Sequence, residues 1–418
     1  MITAYKMLVR AAHLLATPYT AVKASLGDPL WRGRRLNDLP PEARDIWIHA
    51  ASIGEARMAA ILVAHLKGLR PELTVHLTVV TEAGFDAACK TLGRDATVSY
   101  FPLDVPHLIG RLFETISPKV LVVAETEIWP TMVSEAHKRK VPLVLINGRM
   151  SQNAFERYKK ARRLFSGLLS GYNQFFLKSE TDRERYAFFG IDAGRMQVVG
   201  DMKFDAPLQV HSEKRRDEFR NWAGVEAGEN LLIAGSTRPG EERQLLDLFM
   251  KVRTKHSHFR LLLAPRRLER LDEVKMLLNS LGLNWHIYSD PKAADTSGVI
   301  LVDRMGLLNE LYMAADIAFV GGTLEDFGGH NLLEPVWAGT PVVFGPFTKS
   351  VVESASYIEN HNYGCGVKSV QELVVVLDEF LSGEKKFAQK QNVDSQHSAT
   401  ARASRYILDL LKGRDDVS

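Results

Sequence analysis

Short apolar, β-branched runs alternate with stretches of helical length from one end of this chain to the other. That alternation limits the fold more than any other feature. In the first half the strand-like runs are 45–52, 74–81, 97–102, 120–125, 143–148, 174–179 and 196–201. In the second they are 230–237, 259–266, 284–290, 299–304, 317–322 and 341–346. The segments between them, such as 54–69 and 240–255, are long enough for crossover helices, so the strands run parallel. Two successive sets predict two parallel-sheet α/β domains, and 418 residues exceed what one hydrophobic core fills. The expected division is a lead-in at 1–44, a first domain at 45–210, a second at 225–390 and a helix within 391–418 that packs back on the first. Pro207 and the charged stretch 212–221 mark the boundary.

Charge is uneven along this frame. Residues 1–44 carry seven Lys/Arg (Lys6, Arg10, Lys23, Arg32, Arg34, Arg35, Arg44) against Asp28, Asp38 and Glu42. Of the total charge of +3, that surplus of four leaves −1 for the rest. A basic head on a nearly neutral body fits an anionic surface better than nucleic acid, which calls for basic stripes with stacking residues. Lys6, Arg10 and His13 interrupt the apolar residues of 1–26, so no run of about 18 exists to span a bilayer. The same charges lie within the apolar stretch instead of before it, unlike a secretory signal. Helical spacing sets Tyr5, Leu8, Ala12, Leu15 and Tyr19 on one stripe, with Lys6, Arg10, His13 and Thr17 beside it. Such a helix suits an anionic membrane surface, and equally suits packing on its own domain. Cys89 and Cys365 form neither a disulfide framework nor a zinc motif, consistent with a reducing compartment.

Ligands of open parallel sheets bind beyond the carboxyl ends of strands, and unusual residues gather at those ends. Ser52-Ile53-Gly54-Glu55 follows the first run, Glu125-Thr126-Glu127-Ile128-Trp129-Pro130 the fourth, and Asp201-Met202-Lys203-Phe204-Asp205 the seventh. Glu55 at a helix start is also where the macrodipole favours any acid. Glu125 is different, because five apolar or small residues lead straight into it. Lys203 alone reads as a surface lysine.

In the second half, Ser236, Thr237 and Arg238 open a helix after the first strand and form an anion site of hydroxyls, free N–H groups and a guanidinium. The stretch is neither a Walker A loop nor GxGxxG, which disfavours ATP hydrolysis and dinucleotide binding. Pro265 and Arg266 end the next strand, where a guanidinium can hold phosphate, although Arg267 and Arg270 allow a surface basic cluster instead. Gly321-Gly322 to Glu334-Pro335 brackets His330, Asn331 and Glu334 with glycines that let a ligand approach the backbone. A carboxylate there can accept from both ribose hydroxyls. No DxD-type metal pair stands at a strand end; Glu325 and Asp326 come nearest.

Over nearly its whole length the sequence resembles the 3-deoxy-D-manno-octulosonic acid (Kdo) transferases of lipopolysaccharide biosynthesis. The resemblance rests on His49-x-x-Ser52-x-Gly54-Glu55, Glu125-x-Glu127-Ile128-Trp129-Pro130, Asn147-x-Arg149-x-Ser151, Lys203-Phe204-Asp205, Ser236-Thr237-x-x-Gly240-Glu241-Glu242 and Gly329-His330-Asn331-x-x-Glu334-Pro335. It implies the GT-B architecture, two Rossmann-like domains with an interdomain cleft. It also implies CMP-Kdo as donor, a tetraacylated lipid A precursor (lipid IVA) as acceptor, inversion at the anomeric carbon, and no metal or cofactor. The implied location is the cytoplasmic face of the bacterial inner membrane. By position, Glu55 is the general base, and Glu125 and Lys203 stabilise the transition state. CMP lies on Pro265 and Arg266, on Met305, Gly306 and Leu307, and on Asn331, Leu332, Leu333 and Glu334. Arg238 stands where such sequences commonly have His, and Asp201 where they have Asn. The segment 345–349 also lacks their usual His.

A displacement at a tertiary carbon with a nucleotide leaving group needs a base on the acceptor and positive charge for the departing phosphate. Arg238 and Arg266 suit the second task. Basic segments at 138–140 and 157–163 suit a phosphorylated lipid acceptor, although part of that charge is ordinary solvated helix surface. A nucleotide-sugar epimerase of the same architecture is the alternative function. It would act on a soluble nucleotide sugar and have no use for the basic head.

Overall fold

The computed structural model describes residues 2–26, 28, 30, 34, 42–206, 213–290, 298–389 and 398–415. Expectations resting on Arg32, Arg35, Asp38, Pro207, Ser212 and residues 391–397 lie outside them, as do the side chains of Leu15 and Tyr19. The chain divides into two compact units, Met1–Ala206 with Asp394–Ser418, and Pro207–Val393.

The first unit holds β1 (Ile46–Ala50), β2 (Val75–Val79), β3 (Thr97–Tyr100), β4 (Val120–Ala124), β5 (Leu143–Gly148), β6 (Gln174–Leu177) and β7 (Met196–Val198). They form one parallel sheet in the order β3-β2-β1-β4-β5-β6-β7. Alternation along each strand feeds two cores. Ile46, Ile48, Ala50, Val120 and Val122 pack on one face, while Trp47, Leu121 and Val123 pack on the other. The helix Ala399–Asp415 completes the first of these cores through Ala403, Ile407 and Leu411. It is tied further by His65 Nδ1 to Ser404 Oγ (3.0 Å) and by the Thr400 N–H donating to Asp205 (2.7 Å).

The second unit holds β8 (Asn230–Thr237), β9 (Phe259–Pro265), β10 (Trp285–Ile287), β11 (Val299–Leu301), β12 (Ile317–Val320), β13 (Val342–Phe344) and β14 (Gly364–Gly366). Its order is β10-β11-β9-β8-β12-β13-β14, again all parallel. β14 escapes the sequence pattern because it consists of Gly364, Cys365 and Gly366, with no β-branched side chain. It adds an edge strand through backbone pairing with β13 alone. In both sheets the chain reverses its winding beside the first strand, between β1 and β4 and between β8 and β12. A ligand crevice belongs there.

The N-terminal helix Ile2–Ser25 docks on the first unit largely through polar side chains. Tyr5 donates to Asp104 Oδ2 (3.0 Å), and Lys6 donates to Ser134 (2.9 Å) and pairs with Glu135 (3.7 Å). His13 and Thr17 are half-buried, whereas Met7, Leu8, Leu14 and Val22 are exposed. A polar row therefore docks on the unit, because buried Asp104 and Glu135 supply it with partners. Several apolar side chains are left facing out. No helix among the described residues is long and apolar enough to cross a membrane.

Candidate functional site

In the first unit the carboxyl ends of the strands bring the expected acids together. Ser52 caps the helix Ile53–Leu69. The Ser52 hydroxyl donates to Glu55 Oε1 (2.9 Å), the Glu55 N–H donates back to Ser52 Oγ (3.3 Å), and the Ala51 N–H donates to Glu55 Oε2 (2.7 Å). This is a reciprocal cap with the acid reaching one residue further back than usual. The Glu55 carboxyl is buried. Burial raises its pKa and the Glu127 charge adds to the rise, while the bonds from Ala51 and Ser52 oppose it. Glu55 is thus at once the fastener of the helix start and a carboxylate of raised basicity.

Glu125 follows β4 with a left-handed backbone, φ 53°, a strained setting for a glutamate that re-aims its side chain. Its pKa is also raised, first by burial and then by Glu55, against lowering by Lys178 and Arg149. Glu127 accepts from the Trp129 indole (3.0 Å) and is raised by burial and by Glu125. Lys203 is half-exposed, with Nζ 3.2 Å from Asp201 Oδ2. Asn147, left-handed at φ 52°, accepts from the Met202 N–H (2.9 Å) and fastens the Lys203 segment to the end of β5. His49 is wholly buried against Phe101 and Trp129. Burial drives its pKa down to about 3, so it is neutral and structural.

Sequence reasoning missed Lys178. It follows β6, and its ammonium lies 2.8 Å from Asp201, both side chains nearly without solvent. A lysine after three apolar residues looks like an ordinary strand exit, and its partner lies 23 positions on in sequence.

In the second unit a cavity of about 340 Å³ opens at the carboxyl ends of β8, β9, β11 and β12. Ser236, Pro265, Arg266, Met305, Gly306, Asn331 and Glu334 line it. Of the other expected residues, Leu332 and Leu333 are buried in the core, so only their backbone is available to a ligand. Leu307 precedes the helix Leu308–Ala314 without lining the cavity. Thr237 is fully buried and donates to Glu242 (2.8 Å). Arg238 donates through Nε to His330 Nε2 (3.0 Å) and covers the Phe327 ring. His330 has its pKa depressed to about 4 by burial and by Arg238 and Arg266, so it serves as a neutral acceptor. Tyr312 and Arg304 also line the cavity. Neither carried a motif, Tyr312 being hidden in an ordinary apolar helix pattern. Arg270, read as part of a basic cluster, instead clamps Glu242 through two bonds (2.8 and 3.2 Å).

Glu241 explains how the glycine-rich loop holds its shape. Its fully buried carboxylate accepts from the N–H groups of Arg238, Gly322, Thr323 and Leu324, at 2.8, 2.8, 3.0 and 2.9 Å. The ends of β8 and β12 are tied through this one group. Gly321 permits the close approach, since a Cβ there would lie 2.4 Å from the Ser236 carbonyl oxygen. Asn331 donates to Glu334 (3.2 Å) and accepts from the Leu333 N–H (3.2 Å), presenting both residues at the cavity wall. Among the described residues no three His, Cys, Asp or Glu side chains come together to hold a metal ion.

Two parallel-sheet units, one with a buried carboxylate group and the other with a basic, glycine-framed cavity, give the GT-B architecture. The UDP-GlcNAc 2-epimerase of Neisseria meningitidis, solved with UDP-GlcNAc, shares this fold at a TM-score of 0.58. It is 14% identical and covers 88% of this chain and 100% of its own. Residues 29–206 match the family model of 3-deoxy-D-manno-octulosonic-acid transferase (kdotransferase). A 3-deoxy-D-manno-octulosonic acid transferase from Chlamydophila psittaci is 31% identical over 335 residues, 80% of this chain and 76% of the relative. A bifunctional glycosyltransferase/methyltransferase from Fusobacterium nucleatum is 33% identical over 379 residues, 90% of this chain, which spans 58% of that longer relative. The chain belongs to the 3-deoxy-D-manno-octulosonic acid transferase family of glycosyltransferases.

Proposed function

We propose that the protein transfers Kdo from CMP-Kdo to a sugar hydroxyl of a tetraacylated lipid A precursor, with inversion at the anomeric carbon. The observation that carries this reading is Glu55, a buried carboxylate of raised basicity at the switch point of the first sheet, beside Glu125. Glu55 takes the acceptor proton as the new bond forms. Glu125 and Lys203 stabilise charge at the reacting carbon. The second unit holds CMP, with Arg266 on the phosphate and Asn331 and Glu334 on the nucleoside, and Arg304 adds charge beside them.

The acceptor is anionic and lipid-bound, and two surfaces of the first unit suit it. The helix Ile2–Ser25 exposes Met7, Leu8, Leu14 and Val22 beside Arg10. The segment 155–165 exposes Arg157, Lys160, Arg162 and Arg163, with Arg162 stacked over the half-exposed Phe188. Basic and apolar groups side by side favour a peripheral site on the cytoplasmic face of the inner membrane. Incubation with CMP-Kdo and the lipid A precursor in detergent tests the reading, with a product heavier by one or more Kdo units as the expected outcome. An inactive wild-type protein at high enzyme concentration sinks it. Conversion of a free nucleotide sugar without any acceptor would favour the epimerase.

A further inference from the structure

Lys178 follows a strand whose four residues are all buried, and its backbone N–H donates to Gly148 (3.1 Å). Its ammonium is itself buried against Asp201 Oδ2. The same carboxylate oxygen receives the Lys203 ammonium, while Asp201 Oδ1 accepts from the Lys203 N–H (3.1 Å). One aspartate therefore fixes two lysines, one sealed inside and one at the surface. A buried ion pair is a poor device for stability, because its desolvation offsets most of its attraction. Apolar residues would fill the ends of β6 and β7 as well. Two cations on a single anion leave positive charge over, and the groups in its field are acids.

The charged groups around Glu125 come from every strand end packed there. They are Glu55 after β1, Glu127 after β4, Arg149 after β5, Lys178 after β6, and Asp201 and Lys203 after β7. Three carboxylates crowded without an opposite charge would share protons and lose the separate roles a displacement needs. We propose that Lys178 is a positioning residue of this site: locked by Asp201, its ammonium is the buried counter-charge that keeps Glu125 ionised beside Glu55. The proposal rests on reading the ends of β1 and β4 as the catalytic side of the first unit. The signs of the interactions agree with it, since Lys178 lowers the Glu125 pKa while Asp201 raises it.

Those opposed signs make the test. Full-length protein labelled with 13C at the glutamate carboxyls is titrated by NMR, with the Glu125 resonance assigned by its loss in Glu125→Gln. Lys178→Met moves the Glu125 midpoint to higher pH, Asp201→Asn moves it to lower pH, and Lys178→Arg keeps it at the wild-type position. General loosening of the fold would drive both single variants the same way. A shift in one shared direction, or no shift in Lys178→Met, overturns the proposal. Should Lys178→Met not fold by circular dichroism, Asp201→Asn decides, and an unmoved midpoint in it overturns the proposal equally. In the transfer assay the acid limb of kcat/KM follows the same order, while KM for CMP-Kdo in Lys178→Met stays within about twofold of wild type. A wild-type protein that transfers no Kdo would refute the functional reading, yet the titration would still decide the role of Lys178.

Discussion

The two units solve the problem of buried charge in opposite ways. In the second, Glu241 is wholly buried, but four backbone N–H groups converge on it. Its pKa is raised by burial with those four bonds opposing the rise, and it does not line the 340 Å³ cavity. It is a carboxylate used as a rivet. In the first unit Glu55, Glu125 and Glu127 raise one another and are only partly satisfied. Four converging bonds make Glu241 a fixed part of the frame, whereas the acids of the first unit lie close enough to perturb one another. One unit uses a buried acid to fasten a loop, and the other gathers three acids at the ends of its strands.

The contrast is broken most severely at Glu55. Glu55→Ala should lower kcat by roughly 10²–10⁴-fold, the range for loss of a general base, while CMP affinity measured by calorimetry stays unchanged. Retention of the wild-type rate would remove the base assignment. Glu241→Ala should do the reverse, leaving four amides orphaned at a cost of at least ~3 kcal/mol to the second unit in denaturant unfolding. A small loss there would mean that the loop holds its shape without the rivet. Arg266→Ala should weaken CMP binding by roughly tenfold, as removal of one charged hydrogen bond does, without moving the pH profile. The smallest effect belongs to Glu127→Gln. Glu127 raises the Glu55 pKa, so its neutralisation should shift the acid limb of kcat/KM to lower pH. A base works when ionised, and with less repulsion it ionises earlier; an upward shift would contradict the pairing.

Sequence pattern reached the fold because thirteen of the strands fall in short runs rich in apolar and β-branched residues, separated by stretches of other composition. β14 was invisible because its backbone, not its side chains, makes the strand. At the site, residues whose chemistry departs from their surroundings were legible: Glu125 after five apolar neighbours, and Asn331 with Glu334 among glycines. Residues whose chemistry arises only from tertiary neighbours were not. Lys178 gains its meaning from Asp201, and Tyr312 from the cavity beside its helix. The N-terminal helix shows a further limit. Periodicity finds the two faces, but which one turns inward depends on Asp104 and Glu135, about a hundred residues away.

The helix Ala399–Asp415 makes the first unit discontinuous along the chain. Ile407 and Leu411 fill a core whose other walls are made from residues 46–202, and the Thr400 N–H caps Asp205, two positions after Lys203. Synthesis proceeds from the N-terminus at about 5–20 residues per second, so the first sheet waits for the entire second unit before its last wall arrives. During that interval Asp205 lacks the Thr400 N–H. The first unit thus gains its last wall only after residues 399–415 have been made, and a fragment that stops before them would hold Glu55, Glu125 and Glu127 on an incomplete core.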